Sequence, residues 1–276
     1  GYGIIMLAPT KLLHALLAIH PARASLWRPA TQRQALLGRC GGSLGASAGQ
    51  LRESLVGRDI DLDRLEKATR AYCELIRAWG LFTAPSISQV HSCLAKLREA
   101  REALADGEGG EGGRRGRRAG KSKAPQLMKE MLEAEHRAGI HKPGAVLADP
   151  SGAIGLLWVR RGLVYWARVF ELEASRLQAA LKGRSFRGPA SFKDQCQHAY
   201  DQTMRPFHGW VSRRGFAAAQ RGMPDWADVR ARAGFPEEDE AFAKELQAWA
   251  RSVRELQKCM VVMHTRLDME DRRRSV

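Results

Sequence analysis

The amino-acid sequence predicts an all-α fold on three observations. Apolar residues recur at steps of three and four in several segments, one long segment is apolar on every side, and no stretch shows the period-two alternation of a half-buried strand. No internal repeat is evident. At 276 residues the chain suits one domain with additions, since domains commonly run to about 100–200 residues.

Leu62 to Trp79 sets Leu62, Leu65, Tyr72, Leu75 and Ile76 on one face, and Val90 to Leu104 repeats the habit with Leu94, Leu97 and Leu104, so both segments are read as amphipathic helices. A shorter helix is expected over Gln126 to Arg137. Ala153 to Leu181 places Leu156, Leu157, Leu163, Trp166, Val169 and Phe170 almost all the way round, the mark of a central, buried helix. After the break at Gly183 to Pro189, a helix from Phe192 runs into Pro206, which lacks an amide donor, and restarts over His208 to Gln220. Pro224 and Gly234 to Pro236 punctuate the stretch between that helix and the last one. The last helix, Glu237 to about Met269, carries Phe242, Leu246, Trp249, Val253, Leu256, Met260, Met263 and Leu267 by fours and threes. Such a stripe serves either core packing or a coiled-coil seam, and a single copy favours the core.

The net charge is +15, which draws the surface toward polyanions, nucleic acid or anionic lipid alike. Residues 107–123, with seven Gly and six basic residues in seventeen, account for +4 of it and read as a solvated low-complexity loop. The five cysteines are scattered, with no C-x-x-C pair, so neither a zinc site nor a disulfide framework is indicated, and a reducing, cytoplasmic setting is the default. No apolar run approaches the roughly 20 residues that span a bilayer. The first 52 residues hold six Lys/Arg and no Asp or Glu, which leaves two readings open for 1–50: a first amphipathic helix, or a transit-like extension for organelle targeting.

Two segments carry polar groups on otherwise apolar helices. Leu157-Trp158-Val159-Arg160-Arg161-Gly162-Leu163 sets an indole and two guanidiniums on the most buried helix. Buried arginine is costly unless paired or able to reach the surface, so this helix borders either a polar site or solvent. The second segment is Ala199-Tyr200-Asp201, followed by Phe207-His208-Gly209-Trp210. A histidine between aromatics is by itself more often a satisfied core residue than a ligand contact.

In order and spacing these segments resemble the glycolipid transfer protein family: Leu157 to Leu163 is similar to its W-L-K-R-G-L element, and Ala199 to Trp210 to its A-Y followed by H-G-W. Val56-Gly57-Arg58-Asp59-Ile60, with Asp63 beyond, resembles the family's V-x-x-D-I-x-x-x-N at a helix start, and Gln126 to Glu135 its short L-x-x-I-L-x-x-E helix. The resemblance covers residues 51–80 and 124–270. It implies a lipid-transfer domain over 51–270 with an inserted segment at 81–123, followed by a basic tail at 271–276. The implied fold is a two-layer helical sandwich enclosing a collapsible apolar tunnel, with a polar recognition centre at its mouth. The implied function is intermembrane transfer of a glycosphingolipid by a monomer, without chemistry and without a cofactor or metal.

By the same resemblance Asp59 meets the ceramide amide N–H and His208 its carbonyl, while Trp158 stacks on the sugar. Asp63, Arg160 and Arg161 border the headgroup, and Trp210 lies at the membrane interface. The indole suits the flat C–H face of a sugar, and carboxylates suit its hydroxyls. The chain departs from the family's glycolipid branch in carrying Asp63 and Glu66 where that branch has Asn and Lys, so its headgroup preference is not carried over unchanged. A related branch carries ceramide-1-phosphate, with basic residues at the positions of Asp63 and Trp158. Two acids would repel a phosphate and the indole favours a sugar, whereas Arg160 and Arg161 keep the phosphate reading open, as a lipid-sensing role stays open on the same pocket. From another class, the basic loop could serve an RNA-binding module, with affinity that collapses in salt. An enzyme is disfavoured: such a reading would recruit Asp59 and His208 as an acid/base pair, but no nucleophile elbow, metal cluster or phosphate-cradling loop accompanies them.

Overall fold

The structure, a computed structural model, describes residues 43–107 and 124–273. The expected extension up to residue 42, residues 108–123 of the low-complexity loop and residues 274–276 of the tail lie outside them.

Helix α1 (Leu44–Glu53) is N-capped by Ser43, whose hydroxyl accepts from the Ala46 amide. Leu44, Ala48 and Leu51 are buried at steps of four and three, and the indole of Trp249 donates to Ser47. The domain boundary expected at residue 51 therefore falls too late, because residues 44–50 already belong to the packed body. Strands β1 (Leu55–Val56) and β2 (Asp59–Ile60) then pair antiparallel across Gly57, whose φ of +63° suits glycine. Thus the V-x-x-D-I segment forms a small hairpin, and helix α2 (Leu62–Arg77) starts after it with Asp61 as N-cap.

Following a 3₁₀ turn (Leu81–Thr83), α3 spans Ala84–Gly107. The part of the segment expected as an insertion at 81–123 that forms α3 is packed into the body. Cys93, Leu94 and Leu97 are buried, and a Cβ at Gly155 of the central helix would lie 2.7 Å from the Cys93 carbonyl oxygen. The two backbones approach so closely that α3 is an integral layer of the fold.

The chain continues through α4 (Met128–Arg137), α5 (Gly152–Leu181), α6 (Phe192–Thr203), α7 (Trp210–Ala219), α8 (Trp226–Ala233) and α9 (Asp239–Arg266). The all-α fold expected from periodicity is what the structure shows. Helix α5 is its centre, packed most extensively against α9, then α3, then α6, while α1 lies on α9 and α2. Helix α9 runs antiparallel to α5: His264 sits by the Ala153 carbonyl at one end, and Arg254 grips Glu171 with two hydrogen bonds of 2.7 and 2.8 Å further along.

At the start of α5, Ser151 caps Ile154, and the buried carboxylate of Glu135 accepts from the Gly152 and Ala153 amides at 2.6 and 2.9 Å. A negative charge thus meets the positive end of the helix dipole.

The interior is filled by aromatic side chains. Trp79 meets Trp166, Phe170 and Phe235 with ring centroids 5.2, 5.8 and 6.0 Å away, so these rings fill the interior at this level. No described helix is long and apolar enough to cross a membrane.

Two glycine substitutions on α5 should have opposite signs. Gly155→Ala forces α3 and α5 apart and should cost about 1–3 kcal/mol. Gly162→Ala, with nothing within 4 Å of its Cβ, should gain about 0.5–1 kcal/mol. Denaturant midpoints of the two variants check both.

Candidate functional site

The recognition element on α5 and the turn between α6 and α7 meet at the Trp158 indole. His208 stacks on it with ring centroids 5.6 Å apart and planes 28° from parallel. The Arg161 guanidinium lies between two π faces, 3.6 Å from the Phe207 centroid and 4.9 Å from that of Trp158. The turn is shaped by Pro206, which ends α6, and by Arg213, whose guanidinium donates to the His208 and Arg205 carbonyls.

His208 is held neutral. Burial, then the charges of Arg161 and Arg213, pull its imidazole from the ordinary 6.5 to about 4. The Tyr200 hydroxyl lies 3.1 Å from His208 Nδ1, and burial raises the phenol, outweighing Arg213 and Arg205, so it stays protonated. We assign the phenol as donor and Nδ1 as acceptor, which leaves the imidazole proton on Nε2, a donor suited to an amide carbonyl. The Tyr200 ring also stacks flat on Phe216 of α7, 3.7 Å away at 7°. Tyr200 and Phe207 were visible only as parts of a motif, and nothing local in the sequence announced their contacts.

Both arginines are buried. Arg160 pairs with Glu270, and Arg161 donates to the Asp271 carbonyl. Burial and the adjacent Arg160 bring Arg161 down to about 10, still charged at neutrality. The basic tail expected at 271–276 is thus wrong at its start. Asp271 is buried, its carboxylate accepting from the Leu147 amide and from Arg273, while Arg272 and Arg273 are exposed.

The remaining expected site residues are held elsewhere. Asp59 accepts through Oδ1 from the Ile60 and Lys129 amides at 2.8 and 3.1 Å, which ties the hairpin to the start of α4. Asp63, largely exposed, pairs with Arg101 of α3 at 2.7 Å. The structure brings Trp158, Arg161 and His208 into direct contact and gives Asp59 and Asp63 other partners. Trp210 is 65% exposed, with the Arg214 guanidinium 4.1 Å over its ring. Two surface clefts, of about 400 and 540 Å³, open between α3 and α4 and beside residues 268–273, and neither is lined by Trp158 or His208.

Comparison with known proteins identifies the family and the fold. The profile of the family described as Glycolipid transfer protein (GLTP) matches residues 60–234. No curated protein sequence matches at a significant level. Among solved structures, the apo form of mouse ceramide-1-phosphate transfer protein aligns with a TM-score of 0.63 at 13% identity, covering 83% of this chain and 98% of its own. The apo form of Arabidopsis ACD11 (accelerated-cell-death 11) aligns at 0.57 and 17%, covering 81% and 96%. FAPP2, described as selecting simple glycosphingolipids using the GLTP fold, aligns at 0.58 and 16%, covering 82% and 95%.

The neutral imidazole sets a pH dependence. An unfolded histidine takes up a proton below its ordinary 6.5, whereas His208 in the fold does not until about 4. Stability should therefore be flat above pH 6.5 and fall as pH drops from 6.5 toward 4. His264, lowered first by burial and then by Arg160, adds in the same sense. Unfolding free energies measured across that window should show a shallower slope for His208→Gln than for the wild type.

Proposed function

This chain belongs to the glycolipid transfer protein family, and we propose that it carries one glycosphingolipid at a time between membranes by shielding its hydrocarbon chains in the helical interior. The observation that supports this reading most is the pair formed by Trp158 and neutral His208, stacked beside Arg161. The indole offers a platform for a sugar face, and the imidazole Nε2–H a donor for the ceramide carbonyl. Asp59 keeps Oδ1 for two backbone amides, so Oδ2 is the oxygen for the ceramide N–H. In this reading Asp63 takes sugar hydroxyls at the rim, and Arg160 and Arg161 border the headgroup from behind.

Burying the chains is worth about 0.8 kcal/mol per CH₂, but the bilayer offers the same environment, so movement between membranes is nearly neutral in free energy. Specificity then falls to the headgroup contacts, and the lipid passes through without chemistry and without an energy source. The protein acts as a monomer in the cytoplasm and docks transiently on a membrane through Trp210, whose half-wet indole is of the kind favoured at bilayer interfaces.

Native mass spectrometry after incubation with a mixed sphingolipid extract should reveal one bound glycosphingolipid per chain. In transfer between uncharged vesicles, Trp158→Ala should lose at least about tenfold, the scale of a lost aromatic platform. Tyr200→Phe keeps the stack on Phe216 but loses the bond to Nδ1, and should lose roughly two- to tenfold, the worth of one hydrogen bond. Unchanged transfer in Trp158→Ala, or tight RNA binding by a chain that carries no lipid, would count against the carrier.

A further inference from the structure

The guanidiniums behind the stacked pair are covered by a segment that follows α9. Asp268 adopts a left-handed backbone, φ +54°, and reverses the chain at the helix end. Its carboxylate accepts from the Gly144 and Ala145 amides at 3.1 and 3.2 Å. Met269 is buried and donates its amide to the His264 carbonyl at 2.7 Å. Further on, Arg273 donates to the Leu147 carbonyl at 3.1 Å. Fixed at both ends, the strap presents its middle to α5: Glu270 pairs with Arg160, and the Asp271 carbonyl meets Arg161.

Three buried polar atoms are left over at this junction: Arg160 Nη1, Arg161 Nε and Glu270 Oε2 have no hydrogen-bond partner. Two donors and one acceptor remain; Glu270 offsets the charge of Arg160, while the Asp271 carboxylate is paired with Arg273 and offers Arg161 only its backbone carbonyl. The geometry points to Glu270 as a specificity-determining residue, one that occupies the anion position of Arg160 so that the recognition centre admits an uncharged, hydroxyl-bearing headgroup and rejects a phosphate. A hydroxyl is donor and acceptor at once and matches the unpaired remainder on both sides. A phosphate, carrying about −1.5 to −2 charge, would have to face the Glu270 carboxylate or expel it, and like charges brought together at a binding surface are the usual means of rejecting a wrong partner. The inference rests on the carrier reading above and adds the choice of headgroup to it.

The test uses the full chain and phosphatidylcholine vesicles loaded with either monohexosylceramide or ceramide-1-phosphate. The wild type should move monohexosylceramide at least about tenfold faster, given that like-charge contacts cost several kcal/mol. Glu270→Gln keeps the shape and removes the charge, and should raise ceramide-1-phosphate transfer about tenfold on the same grounds while monohexosylceramide changes by less than about threefold. Arg160→Gln combined with Glu270→Gln should erase that gain. An unchanged lipid ratio in Glu270→Gln, or a gain that survives in the double variant, overturns the inference while leaving the carrier reading intact. If Glu270→Gln does not fold, the wild-type ratio decides, and equal transfer of the two lipids overturns it. A wild type that moves neither lipid refutes the carrier reading itself.

Discussion

Two adjacent guanidiniums on the most buried helix set what the rest of the molecule must supply. Arg160 and Arg161 cannot leave α5 for solvent, and taking an unpaired charge out of water is among the costliest things a fold can do. Each is met from a different direction. Glu270 and the Asp271 carbonyl reach them from a segment about 110 residues away in the chain, and the Phe207 and Trp158 rings cover Arg161 from the side. Burial raises the Glu270 carboxyl, but its bond and charge contacts with Arg160, aided by His264 and Arg161, outweigh that and hold it below the usual carboxylate range. The aromatic rings and the reversal after α9 thus answer one electrostatic demand.

The same helix organises the apolar body. Its first amides are capped by buried Glu135, which also contacts His141 at 3.2 Å. One side is pressed against α3 at Gly155, and another is locked to α9 through Glu171 and Arg254. These contacts fix α5 at its N-terminal end and on two sides. Helix α7 differs, since none of its residues is buried. Its main described anchor is Phe216, stacked on Tyr200 of α6.

Much of this was legible in the residues. The all-round apolar pattern of Ala153 to Leu181 identified the central helix, and the spacing from Trp158 to Gly162 and from Tyr200 to Trp210 picked out the two segments that meet. What escaped has physical reasons. Helix α1 is built of Gly, Ala and Ser around a thin stripe, which gives little periodic contrast. Helix α3 was seen as a helix but taken for an addition, because its role depends on a backbone approach at Gly155 that no local pattern encodes. Glu270 and Asp271 were hidden by the arginines after them: a run of positive charge ordinarily belongs to water, and only the distant demand of Arg160 and Arg161 turns its first residues inward. Asp59 and Asp63 read as headgroup contacts, yet in the fold each first serves the joining of elements, one at the hairpin and one across to α3.

Tyr200 has a ring flat against Phe216 and a hydroxyl on the imidazole of His208. One side chain therefore reports the seating of α7 to the atom that chooses between the two protonation isomers of the histidine. A displacement of Phe216 would therefore be felt first by the residue on which the position of the imidazole proton depends.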